Sequence, residues 1–361
     1  MKIASFNIRR MGPSKLSDQN IVKYLIKIFS RYSIIILLEV VDKSGKSIAK
    51  FLQELNSTRA NKKRPFTMVG SSRLGRTLYK EQFVCFYRKD EAELVDTYQY
   101  EDNQVGDEDA FSREPFILRF HCKHTVLKDL VLIPVHTKPK DSQKELDELY
   151  DVFRHVMDIW KTDNVMILGD FNADGAYVSK KKMKTIRIRS DPNFHWLIGD
   201  DVDTTVIQSN DHTYDRIVVY KDDMLKAIVP RSAKPFNFQE AYKLSDETAL
   251  DISDHYPVEV SLKKSSAAKT SGKTKTQKRK IDCVSFYSRF TSLITFDTHY
   301  YGGPAVHNTT QLKSKHKLTT QQNKKQKTNI SSQHNEIKKA NICSQHNGIK
   351  KSKHKLTTQR N

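Results

Sequence analysis

The strongest constraint on the fold of this chain is a set of short, uninterrupted apolar runs. Ile34–Leu38, Val131–Val135, Val165–Leu168 and Ile217–Tyr220 are each four or five residues long. Runs this short bounded by polar residues suit strands. Apolar side chains at consecutive positions mean that both faces of such a strand are buried. Between them the spacing changes to that of helices. Ile21, Leu25, Ile28 and Phe29 share one helical face, as do Ile48, Phe51, Leu52 and Leu55. The longest such pattern is Leu146, Leu149, Tyr150, Phe153, Met157 and Trp160. A first strand at Ile3–Asn7 and an alternating one at Val258, Val260 and Leu262 bracket the pattern, and strands interleaved with helices throughout predict an α/β class.

Charge divides the chain at the same place as pattern. It carries 62 basic and 42 acidic residues, of which residues 263–361 hold 22 and 3, leaving 40 and 39 for residues 1–262. The expected organisation is therefore a near-neutral domain over 1–262 and a Lys-rich tail over 263–361. The tail has too little apolar content to offset the entropy of ordering it. It repeats itself: Lys313–Asn323 and Lys351–Asn361 agree at ten of eleven positions, with no apolar face to stack as a solenoid. No apolar stretch reaches the length of a membrane span, and Met1-Lys2 leads straight into the first strand without a signal-peptide pattern. Cys85, Cys122, Cys283 and Cys343 lack C-x-x-C spacing, and Cys85 reads as a small buried hydrophobe. His121-Cys122-Lys123-His124 is a superficial metal pattern only, because neighbouring strand side chains point to opposite faces.

Polar residues collect at the ends of the buried runs. Asn7 follows the first strand, Glu39 follows Ile34–Leu38, and His136 follows Val131–Val135. Asp170 and Asn172 follow Val165–Leu168, Asp215 precedes Ile217–Tyr220, and Asp254-His255 precedes the last strand. Ligands of α/β sheets gather beyond strand ends. Singly, Asn7 reads as a turn residue and Asp170 as a helix start. Glu39 is harder to dismiss, because a carboxylate at the end of a five-residue apolar run needs a partner and a cation is a natural one. Carboxylates with amide support suit a hard divalent cation. Two histidines, each fixed in one tautomer by a carboxylate, suit a general acid and a general base. Together these are the parts for water attack on phosphorus.

Longer stretches carry a resemblance. Ser5-Phe6-Asn7-Ile8-Arg9, Ser72-Arg73-Leu74-Gly75-Arg76, Tyr79-Lys80-Glu81-Gln82, Phe111-Ser112-Arg113-Glu114-Pro115-Phe116, Gly169-Asp170-Phe171-Asn172-Ala173-Asp174, Thr213-Tyr214-Asp215-Arg216 and Ser253-Asp254-His255-Tyr256-Pro257 are similar in order and spacing to the deoxyribonuclease I family. Ile133-Pro134-Val135-His136-Thr137 and Ala241-Tyr242-Lys243-Leu244 resemble its gamma branch most. The resemblance implies a four-layer sandwich of two mixed β-sheets flanked by helices. It implies Mg2+ (or Mn2+) in the cleft, structural Ca2+ elsewhere, and double-stranded DNA or chromatin as substrate. Position by position, it pairs His136 with Glu81 and His255 with Asp215, one histidine activating water and the other assisting the leaving oxygen. It puts Asp170 and Asn172 on the scissile phosphate, the metal at Asn7, Glu39 and Asp254, and DNA contacts at Arg76, Tyr79, Arg113 and Tyr214. Asp107, Asp109 and Asp203 fall in acidic stretches suited to Ca2+. Location in the nucleus or the secretory route follows from the family alone. The resemblance implies a monomer without a membrane partner, and leaves actin binding open.

The chain departs from the family in two places. Val41 stands where a basic residue is usual, which removes a groove contact. Gly175 and His212 stand at the two cysteines of the family's larger disulfide, so both thiols are gone together, and the chain-entropy model puts the forfeited stabilisation at about 3–4 kcal/mol. The expected activity is hydrolysis of DNA by an endonuclease with little sequence preference that leaves 5′-phosphate ends. The alternatives are a phosphatase of small esters with the same fold and a non-catalytic cationic DNA binder.

Overall fold

The computed structural model describes residues 1–103 and 109–265. Asp107, Cys283, Cys343 and the repetitive stretch lie outside the described residues. Twelve strands run in chain order among the described residues: β1 Lys2–Met11, β2 Ile34–Val40, β3 Phe66–Gly70, β4 Gln82–Arg88, β5 Glu93–Gln99, β6 Phe116–His121, β7 Asp129–His136, β8 Val165–Asp170, β9 Phe194–Trp196, β10 Asp215–Tyr220, β11 Lys234–Pro235 and β12 Val258–Ser261. They form two six-stranded sheets, ordered β11-β12-β1-β2-β4-β3 and β5-β6-β7-β8-β10-β9. Each sheet is mixed and has one parallel pair, β1 with β2 and β7 with β8.

Alternation along the apolar runs builds the layers. Ile34, Ile36 and Leu38 point one way, to meet Leu118, Leu132, Met166 and Leu168 of the second sheet in a core between the sheets. Ile35 and Leu37 point the other way, onto Leu25 and Phe29 of α2 (Gln19–Phe29) and Phe51 and Leu55 of α3 (Lys46–Ser57); α1 (Pro13–Ser17) precedes them. On the far side of the second sheet, Val131, Ile133 and Ile167 pack on Leu146, Leu149 and Phe153 of α4 (Ser142–Trp160), which is followed by the short α5 (Lys180–Met183). The result is helix, sheet, sheet, helix, the four-layer sandwich expected from the sequence.

The strands extend one to four residues beyond the apolar runs, so Asn7, Glu39, His136, Asp170 and Asp215 lie inside strand ends rather than after them. Backbone pairing continues slightly past residue 262, with bridges from Leu262 to Ile228 and from Lys264 to Thr125. Cys85 is buried in β4 and Cys122 is buried just after β6; both thiols are free, and burial pushes both up, Cys122 to about 12. His121 is exposed while Cys122 is buried, so these neighbouring side chains lie on opposite faces. No helix among the described residues is long and apolar enough to cross a membrane.

Candidate active site

The two parallel pairs bring their carboxyl ends together, one from each sheet. Asn7 Nδ2 spans the junction, donating to Glu39 Oε1 at 3.2 Å in its own sheet and to Asp170 Oδ2 at 3.0 Å in the other. Local irregularity aims Glu39. Asn7 pairs with Leu38 and Met11 with Val40, so Ile8, Arg9 and Arg10 bulge opposite one residue. Arg9, Arg10 and Glu39 take positive φ of 46°, 56° and 61°, a region that costs non-glycine residues energy and that clusters at functional sites. Through the bulge Arg10 N reaches Glu39 Oε2 at 3.1 Å.

Two histidine–carboxylate pairs flank this junction. His136, at the end of β7, holds Glu81 Oε1 through Nδ1 at 2.5 Å. His255, in the turn before β12, holds Asp215 Oδ2 through Nδ1 at 2.6 Å. In each, the free Nε2 faces the same atom, Asp170 Oδ2, at 3.7 Å from His136 and 3.9 Å from His255. Burial opposes protonation of both rings, but the carboxylates outweigh it and both imidazoles are raised above the ordinary histidine value: Glu81 acts on His136, Asp215 and Asp170 on His255. Burial pushes Asp215 up as well. Glu81 lies below its ordinary value despite burial, because His136 and Arg113 both favour its charged form.

The supporting contacts are backbone-rich. Asp170 Oδ1 accepts from Asn172 N at 3.0 Å, and Asn172 Nδ2 donates to Thr137 O at 3.1 Å. Ser253, fully buried, donates to Asn7 O at 2.6 Å and accepts from His255 N at 3.1 Å. Thr204 Oγ1 accepts from the amides of Tyr214 and Asp215, both at 3.1 Å. In the sequence Ser253 stands out only as part of a longer motif, and Thr204 carries no local signal at all. Their roles depend on chain segments far apart in sequence.

Glu39 has only neutral donors and the distant His136 ring beside it, and no lysine or arginine pairs with it among the described residues. A mostly buried carboxylate with no cationic side chain paired to it fits a hard divalent cation. No cluster of three or more His, Cys, Asp or Glu side chains closes into a metal cage among the described residues. Asp254, the third expected metal residue, faces Arg9 at 3.7 Å.

The residues expected on DNA divide into two kinds. Tyr79 is 42% exposed at the rim, and its hydroxyl is pushed up to about 12 by burial and by Glu39 and Glu81. Tyr214 lies between Tyr177 and His255, at ring separations of 5.7 and 6.2 Å. Arg76 is tied to Asp109 at 2.9 Å and to Asp141 at 3.8 Å. Arg113 is placed deeper than a groove contact: Nε meets Glu81 Oε1 at 2.6 Å and Nη1 meets His136 O at 3.2 Å, which makes it part of the Glu81–His136 pair. Of the residues expected at calcium, Asp109 pairs with Arg76 and Asp203 accepts from the Thr205 amide and hydroxyl at 2.8 Å each. Gly175 and His212 lie against each other, the His212 Cε1 atom 2.8 Å from where a Cβ of residue 175 would stand.

Two mixed sheets packed face to face, with histidine–carboxylate pairs at the meeting of their parallel strands, define an α/β-sandwich hydrolase. A family model described as Endonuclease/Exonuclease/phosphatase family matches residues 4–255. The chain belongs to that family, and within it to the deoxyribonuclease I branch. It is 45% identical over 282 residues to deoxyribonuclease gamma of Homo sapiens, covering 78% of this chain and 92% of that protein. It is 44% identical over 261 residues to deoxyribonuclease-1-like 1 of Cricetulus griseus, covering 72% and 83%, and 43% identical over 263 residues to deoxyribonuclease-1 of Oryctolagus cuniculus, covering 73% and 92%.

Proposed function

We propose that this protein is a divalent-cation-dependent endodeoxyribonuclease that cuts duplex DNA with little sequence preference and leaves 5′-phosphate ends. The observation that carries the reading is the convergence of two imidazole Nε2 atoms, one from each sheet, on Asp170 Oδ2. In displacement at phosphorus, one imidazole takes a proton from the attacking water and the other returns one to the leaving 3′ oxygen. The water oxygen bonds to phosphorus as the bond to the 3′ oxygen breaks, giving a 3′-hydroxyl and a 5′-phosphate. Glu81 and Asp215 hold the Nδ1 protons, which keeps both Nε2 atoms turned inward in the useful tautomer. Asn172 is fixed by Thr137 and Asp170 so that its side chain orients a bound phosphate. Glu39, with Asn7, would hold Mg2+ or Mn2+, which when bound would neutralise charge on the phosphate.

DNA as the substrate is supported by the names of the relatives and by the rim. Tyr79 and Tyr214 flank the cluster as neutral aromatic faces, each with its hydroxyl pushed up to about 12, by burial first of all. The test is nicking of supercoiled plasmid by the full chain. Mg2+ should support it and EDTA abolish it, and His136→Ala or His255→Ala should lower kcat by about 10²–10⁴-fold. Equal nicking by the alanine variants would remove the catalytic assignment. Turnover of a small phosphoester with no action on plasmid would replace the substrate.

A further inference from the structure

A groove of about 460 Å³ runs beside the catalytic cluster, between α4 and the segment around α5, lined by Lys140, Asp141, Lys144, Lys182 and Tyr177 among others. Two routes connect it to the site. Tyr177 is one wall, and its ring is 5.7 Å from that of Tyr214, which lies 6.2 Å from His255. Asp141 is the other end, and it lies 3.8 Å from Arg76.

The acids lining the groove already have cations. Asp147 is held by Arg187 at 2.8 Å, Glu148 by the same arginine at 3.4 Å, and Asp141 by Lys138 at 2.7 Å. The lysines here are a different case. Lys140 and Lys182 in the lining, and Lys180, Lys181 and Lys184 around the adjoining α5 turn, are exposed, and none forms an ion pair among the described residues. The α5 turn needs none of these side chains: Ser179 caps it through the Lys182 amide, and Met183 supplies the buried contact. Residues 1–262 carry 40 basic and 39 acidic residues, so five unpaired cations, two in the groove and three on the α5 segment beside it, form a local excess on a near-neutral domain.

We infer that this lysine groove is an extension of the substrate track, where the phosphates of a duplex lie after it has passed the Tyr214–Tyr177 rings. The inference rests on the nuclease reading and deepens it by adding a second binding region away from the bond that is cut. Duplex DNA is the occupant favoured by charge and by continuity with the aromatic rim. Its backbone offers regularly spaced single negative charges, which exposed ammonium groups bind as point charges without reading sequence. Because the groove lies beyond the cluster, it contributes to capture of long duplexes and not to the chemical step.

The test compares the full chain with a variant carrying Lys140→Gln, Lys180→Gln, Lys181→Gln, Lys182→Gln and Lys184→Gln, and with the matching set of arginine substitutions. Cleavage is followed on duplexes of about 40 and about 10 base pairs over a range of salt, because each phosphate that is no longer neutralised reduces the slope of log K against log salt by about 0.9. On the long duplex the glutamine variant should show a KM roughly tenfold higher at low salt, a shallower salt slope and an unchanged kcat, with the arginine set restoring both KM and slope. On the short duplex the variant and the parent should agree. A glutamine variant with the parent's KM and salt slope on the long duplex overturns the groove while the nuclease reading stands. A parent chain that neither binds nor cuts either duplex overturns both.

Discussion

Asp215 and Glu81 do the same work for their histidines from different surroundings. Asp215 is fully buried; His255 is its ionic partner, and one of its oxygens has no hydrogen bond. Glu81 shares one oxygen between His136 and Arg113. Replacing Asp215 by Asn therefore leaves an amide whose NH2 can donate to Nδ1, moving the imidazole proton to Nε2 and spoiling the tautomer. Asp215→Asn is expected to lower kcat on plasmid by about 10²–10⁴-fold with KM nearly unchanged, since the residue has no exposed surface for DNA. A loss of affinity without loss of kcat would show that Asp215 positions the DNA-facing loop instead. At this scale the sequence revealed the kinds of residue and where they end strands. It did not reveal that Arg113 belongs to the Glu81 pair or that Asn7 bridges two carboxylates. Those contacts join residues far apart in sequence, Asn7 to Asp170 and Arg113 to Glu81, and nothing local marks them.

The elements were legible where burial alone determines them. The runs at Ile34, Val131, Val165 and Ile217 became central strands, and the helical faces became α2, α3 and α4. The bulge at Arg9–Arg10 was not legible, because a bulge is a property of two paired strands and its residues are ordinary. Two element-scale details carry predictions. Gly169 has φ of 148°, and a Cβ there would stand 1.9 Å from Val135 O across the β7–β8 pair. Neither strand can retreat without moving His136 or Asp170. Gly169→Ala is expected to cost upward of about 3 kcal/mol, a fall in Tm of roughly 6–12 °C; a Tm within a degree of the parent would contradict it. Helix α3 is capped from outside by Asp42, whose carboxylate accepts from Ser47 N at 2.7 Å and Ile48 N at 3.0 Å. Burial pushes that carboxyl up, but the amides and the Ser44 hydroxyl outweigh it and hold it below the ordinary value. A carboxyl lowered by folding stabilises fully above its unfolded pKa of about 4 and loses that contribution as pH falls through the folded value. Asp42→Ala should thus cost about 1–2 kcal/mol at neutral pH and progressively less under acid. Urea unfolding of both proteins at neutral and acid pH checks this, and a penalty independent of pH would mean that packing, not charge, accounts for the cost.

Over the whole molecule, the part with the catalytic cluster is nearly neutral, while residues 263–361 hold 22 basic and 3 acidic residues. The catalytic cluster and most of the excess positive charge therefore lie in different stretches of one chain. A nearly neutral domain exerts little net pull on DNA beyond its local patches, and the attraction a basic stretch adds is screened within about 8–10 Å at physiological salt. The stretch should matter most at low salt and on substrates with many phosphates within reach. Removing residues 266–361 is expected to leave kcat on a short duplex unchanged, because every residue of the two histidine pairs and of the Asn7–Glu39 junction lies before residue 256. The same truncation should raise KM on plasmid at low salt, and the difference should close as salt rises, since each phosphate neutralised with release of its counterion contributes about 0.9 to the slope of log K against log salt. If instead the truncated and full chains share one KM at every salt concentration, the basic stretch plays no part in capture. The lysine groove beside α4 and the aromatic rim would then account for all the attraction to DNA that the protein has.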